Sequence, residues 1–163
     1  MSALDDLQQL TSSQGVLLYR LVDLGYLTRA QVDQLINRLV RDRIAKATDY
    51  LTFAQQLDAT LPLHQPHIIS RCYYVMYHAA RALVLHVRRS DLDHHGRLSA
   101  TLGKELGITY GELLTQWREK RNHIDYSPYP PADLANQAVT AVSDAISFLT
   151  VCRDYLQNRG VTL

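Results

Sequence analysis

Apolar residues recur every third or fourth position through most of this chain, the period of a helix that turns one face to a core. Leu4 to Leu24 is a first amphipathic segment with Val16, Leu17, Leu21 and Leu24 on its apolar side, ended by Gly25-Tyr26. Thr28 and Gln31 have the spacing of a capping box, in which two orphan amides at a helix start are satisfied reciprocally. They open a long helix carrying Val32, Leu35, Ile36, Leu39, Ile44, Ala47, Leu51 and Phe53. The two prolines in Leu61–Pro66 stop it and permit another from about His67 to Arg88, whose alanines and aromatics suit the centre of a bundle. A shorter helix with Leu98, Leu102 and Leu106 follows the polar stretch RRSDLDHHG. Thr109 and Glu112 read as a second capping box, starting a helix that closes at Pro128, Pro130 and Pro131. The last helix, about Ala132 to Asn158, carries Leu134, Ala138, Val142, Ala145, Leu149 and Cys152 on one stripe and ends before Gly160. The pattern predicts an all-α fold, an up-and-down bundle of four or five helices over residues 44–163, with residues 1–43 as a helical hairpin packed on it.

At 163 residues, without internal repeats, the chain suits one core. Lys and Arg number 17 against 16 Asp and Glu, a formal charge of +1, so no global field draws it to nucleic acid or membrane. Anion binding must come from a local patch. Cys72 and Cys152 match no CxxC or zinc spacing and read as reduced core residues. The opening MSALDDLQQL is acidic and polar where a signal peptide is basic then apolar, and no run approaches the ~18 apolar residues of a membrane span. A cytoplasmic protein without membrane contact is expected.

Two polar constellations interrupt the apolar pattern. Tyr74, His78 and Arg81 fall at i, i+4 and i+7 on the alanine-rich helix, with Tyr77 one turn from Arg81. Polar groups so close to an apolar stripe either bond one another and fix packing, or line a cleft. In WREKRNHIDYSPYPP, Arg118, Arg121 and Asp125 fall at i, i+3 and i+7, with Trp117 one turn before Arg121. An Arg121–Asp125 ion pair and a cation–π platform on Trp117 account for that spelling without any function. They do not account for Tyr126 and Tyr129 among three prolines, since Arg beside Tyr is a pairing that grips phosphate and stacks on bases. His64 with His67, and His94 with His95 beside Asp91 and Asp93, suggest a metal, but bundle di-metal sites use Glu-x-x-His, which is absent. Adjacent His94 and His95 cannot both face inward, so they read as a helix start after Ser90-Asp91, and no metal or other cofactor is expected.

YYVMYHAARAL, then DHHGRLSATLGKEL, then RNHIDY resemble, in order, the motifs of the HEPN superfamily of small helical bundles. The matching residues are Tyr73, Tyr74, Tyr77, His78 and Ala79, then His95 and Gly96, then Arg121, Asp125 and Tyr126, within about Ile44 to Asn158. The resemblance implies a homodimer whose Arg-bearing helix ends line a shared cleft, and an RNA-directed activity. Many such proteins are metal-independent endoribonuclease toxins paired with a nucleotidyltransferase-like antitoxin. Others bind RNA or nucleotide without cutting, and a helical adaptor for a protein partner is a third reading.

The family's catalytic pattern is an Arg followed four to six residues later by His, with a polar residue after the Arg. Here Asn122 follows Arg121, but Asp125 and Tyr126 stand where the His is expected. Arg118 to His123 has the spacing, although five residues on an unbroken helix set two side chains about 140° apart. On this reading Arg121 and Arg118 hold phosphate and His123 or His78 is the acid/base. Tyr74, Arg81, His95, Asn122, Asp125 and Tyr126 line the ligand.

Overall fold

The computed structural model describes residues 15–92, 94–129 and 131–163, with the backbone alone at positions 15, 16 and 95. Among the described residues there are six helices and no strand: α1 (Gly15–Asp23), α2 (Arg29–Gln55), α3 (Gln65–Arg88), α4 (His95–Leu106), α5 (Ile108–Tyr126) and α6 (Leu134–Gln157). The protein is an all-α helical bundle. The expected start of the first helix at Leu4 lies outside the described residues. Its end is close to expectation, with Gly25 at φ 78° turning the chain.

The first capping box forms as its sequence predicts. Thr28 N donates to Gln31 Oε1 at 2.8 Å, and Gln31 N donates to Thr28 Oγ1 at 3.2 Å. Helix α3 begins two residues before His67, because Pro66 fits the first turn, where its missing N–H has no partner to lose. The second capping box does not form. Gly107, at φ 103° and ψ 150°, ends α4 and precedes Ile108, so Thr109 already lies inside α5. A positive φ is cheap only for glycine, and the sharp reversal it permits overrides the local capping preference. The reversal brings α4 and α5 together so closely that a Cβ on Gly111 would stand 2.6 Å from the Ser99 carbonyl oxygen.

Helix α3 is the central element, packing against α2, α4, α5 and α6. Its Ile68, Ile69, Cys72, Val75, Met76, Ala79, Ala80, Leu83 and Val84 are buried. The alanines let neighbours approach, and the branched side chains fill the space between them. The anticipated boundary between residues 43 and 44 falls inside the continuous helix α2. Val32, Ile36 and Val40 before it share one core with Ile44, Ala47 and Ala54 after it. Leu18 of α1 joins the same core. Cys72 and Cys152 are free and buried; burial pushes the Cys72 thiol up to about 12 and Cys152 higher still. Among the described residues, no helix is long and apolar enough to cross a membrane.

Candidate functional site

Arg121 lies in the last third of α5, where the helix passes α3. Its Nη1 donates to Asn122 Oδ1 at 2.8 Å and its Nη2 to the Tyr74 hydroxyl. Nε approaches Asp125 Oδ2 to 2.9 Å, the expected i,i+4 ion pair, without aligning as a hydrogen bond. The guanidinium carbon stands 5.6, 5.2 and 5.9 Å from the ring centres of Tyr73, Tyr74 and Tyr126, within cation–π range. Burial alone would lower the Arg121 pKa. The Tyr74 hydroxyl, Asp125 and Tyr126 outweigh it and hold the cation above its ordinary value.

The platform anticipated on Trp117 is corrected by the structure. Trp117 is buried, and its Nε1 donates to Asp144 Oδ2 on α6 at 2.9 Å. That bond draws the indole into the core, and Lys120 Nζ sits 4.2 Å from its ring centre instead. Besides Tyr126 on its own helix, Arg121 takes its aromatic support from Tyr73 and Tyr74 of α3, which spacing within one helix does not reveal.

Tyr74, His78 and Arg81 share a helix face, and Tyr74 and His78 share the ring of Tyr50, but their polar contacts differ. Tyr74 reaches Arg121. His78 stacks on Tyr50 with ring centres 5.5 Å apart, and its Nδ1 is buried without a hydrogen-bond partner. Burial, then Lys46, Arg43 and Arg81, push its pKa down to about 4, so the ring is neutral at pH 7 and a weak base. Arg81 turns to Asp91, donating from Nε to Oδ1 at 3.2 Å and from Nη2 to Oδ2, and from Nη1 to the Tyr77 hydroxyl at 3.3 Å. Arg43 donates to the same Asp91 Oδ2 at 2.5 Å. Tyr50 and Arg43 were not singled out from sequence, because α2 there reads as an ordinary amphipathic helix.

The remaining candidates lie near the end of α5. The helix is unbroken from Ile108 to Tyr126, so Arg118 and His123 keep their separation of about 140°. His123 is exposed and, two residues on from Arg121, lies about 160° around the helix from it. Arg118 is half-buried, with Nε lacking a hydrogen-bond partner. Asp125 is exposed, and Tyr126 and Tyr129 expose 77% and 78% of their surface. The side chain of His95 lies outside the described residues. His94 caps α4, its Nδ1 accepting from Arg97 N at 3.4 Å, and His64 Nδ1 accepts from Asp58 N at 3.0 Å. Compared with protein-family models, curated proteins and solved structures, the chain matches none.

Proposed function

We propose that the chain is an RNA-directed bundle of the HEPN type, with the end of α5 as its binding edge. The observation that carries this reading is the Arg121 guanidinium held on Tyr73 and Tyr74 beside the exposed ring of Tyr126. A cation fixed on such a platform loses little side-chain entropy when it meets a phosphate, and Tyr126 and Tyr129 offer faces for unstacked bases. A homodimer that juxtaposes two such edges forms the cleft, and a nucleotidyltransferase-like antitoxin is the partner this reading implies.

Binding rather than cleavage is the activity that one protomer supports. Metal-independent cleavage needs a base for the 2′-hydroxyl and an acid for the leaving oxygen beside the phosphate-holding cation. His123 faces away from Arg121 on the same helix, and buried His78 is held near 4. An endoribonuclease therefore requires His123 from a second copy.

The test incubates purified protein with end-labelled RNA in EDTA and measures RNA affinity across a salt series, with Arg121→Ala and His123→Ala alongside. Retained fold, affinity reduced at least about tenfold in Arg121→Ala and a shallower salt slope are expected. Cleavage lost in both variants would establish the nuclease. Unchanged affinity in Arg121→Ala would remove the binding edge from α5.

A further inference from the structure

The corner formed by α2, α3 and the residues just after α3 already shows how one carboxylate is gripped. Arg81 presents Nε and Nη2 as a fork, donating to Asp91 Oδ1 at 3.2 Å and to its Oδ2, and Arg43 Nη2 donates to the same Oδ2 at 2.5 Å. A planar guanidinium matches a carboxylate edge for edge. One carboxylate between two guanidiniums leaves positive charge over, and Lys46, one turn along α2 from Arg43, adds to it.

Beside this corner opens a hollow of about 280 Å³, lined by Leu39, Asp42, Arg43, Lys46, His78 and Arg81. Packing does not account for two of its walls. Arg43 and His78 are each only 8% exposed, yet Arg43 Nε and His78 Nδ1 have no hydrogen-bond partner. Buried polar atoms are normally satisfied, so a further polar group has a reason to enter here. Its charge and size follow from the walls. The cations Arg43, Lys46 and Arg81 number three and the carboxylates Asp42 and Asp91 two, which leaves a single positive charge for a single negative one. The volume falls just below the ~300–1,000 Å³ of ordinary small-ligand pockets, so the entering group has few atoms. A phosphate monoester, close to doubly charged at pH 7, overshoots that balance. A chain of phosphodiesters would pass two acids on α2, Asp42 here and Asp49 in the adjoining hollow with Tyr50, Phe53 and Arg71.

We infer that this hollow binds a single carboxylate group, held by Arg43 and Lys46 beside the His78 ring. A small free carboxylic acid supplies that group, and so does an aspartate or glutamate side chain of a partner protein. In the second case a neighbouring side chain of the partner lies on Phe53, 46% exposed, in the adjoining hollow. The inference does not rest on the reading given to Arg121.

The test is chemical-shift mapping of ¹⁵N-labelled protein at constant pH and ionic strength, titrated with acetate and, separately, with an acetylated hexaglutamate peptide. Chloride and inorganic phosphate are the comparison anions. Lys46→Glu and Lys46→Arg accompany it, at an exposed position outside the Asp91 pairs, with circular dichroism confirming their fold. Saturable shifts of the Arg43 Nε–H and of amides around Lys46 and His78 are expected, with affinity lowered at least about tenfold in Lys46→Glu and retained in Lys46→Arg. A response to acetate makes the hollow a site for a small acid. A response to hexaglutamate alone makes it the seat of a protein's acidic side chain, and Phe53→Ala should then weaken the peptide. An equal response to chloride or phosphate would overturn the carboxylate assignment. No saturable shift with either carboxylate, or Lys46→Glu binding like wild type, would overturn the site.

Discussion

Asp91 is the residue on which the charge balance between α2 and α3 depends, and Asp91→Asn tests that directly. Its side chain is 6% exposed and pairs with Arg43 and Arg81, themselves 9% and 15% exposed. It also accepts from Leu92 N at 2.9 Å, which ties down the chain just after α3. The amide keeps the shape but removes the one negative charge between two guanidiniums. Each cation has already been largely stripped of water, and burial lowers the Arg43 pKa despite Asp91. Breaking a buried ion pair by removing one partner costs ~3–5 kcal/mol, a large share of the ~5–15 kcal/mol that typically holds a domain together. Urea unfolding followed by circular dichroism should show the midpoint falling with the slope unchanged. The triple variant Arg43→Met, Arg81→Met, Asp91→Leu should recover most of the loss, because it removes the cations together with their counter-ion. A loss below ~1 kcal/mol in Asp91→Asn, or a triple variant no better than the single one, would refute the charge argument.

Two further predictions concern stability. His78 is pushed down to about 4 in the folded state, so between about 6.5 and 4 the unfolded chain binds the extra proton. Stability should fall as pH drops through that window, by ~3 kcal/mol at most, and His78→Phe should flatten this part of the profile; parallel curves for the two proteins would show that His78 is not responsible. Gly111→Ala drives a methyl group against the Ser99 carbonyl, 2.6 Å from the ideal Cβ position, and should cost ~1–3 kcal/mol in thermal or urea unfolding; a neutral result would mean that α4 and α5 separate freely.

What was legible in the sequence follows the range of the interactions. The start of α2 depends on Thr28 and Gln31, three residues apart, and that chemistry is local. The buried face of α3 depends on a period that repeats for 24 residues. The start of α5 was misread because Thr109 and Glu112 have capping spacing, whereas the turn is made by Gly107, whose positive φ answers to the α4–α5 approach. The platform under Arg121 was misassigned for a similar reason. Trp117 is its neighbour in sequence, but Tyr74, 47 positions away, is its hydrogen-bond partner. Asp91 likewise takes Arg43 from 48 positions away, a pairing that no periodicity predicts.

Tyr74 joins the two regions that the helices bring together. Its hydroxyl accepts from Arg121, while its ring stacks on Tyr50, which in turn stacks on His78. A displacement of Tyr50 therefore acts on the ring whose hydroxyl helps to hold Arg121. A phosphate that draws Arg121 off Tyr74 frees that hydroxyl and the ring beneath it. Tyr74 therefore carries two sets of contacts, one to Arg121 on α5 and one to the ring of Tyr50 on α2. Arg121 itself is already engaged. Its Nη2 already donates to Tyr74, its Nη1 to Asn122, and its Nε lies against Asp125, so engaging a phosphate gives up part of this set.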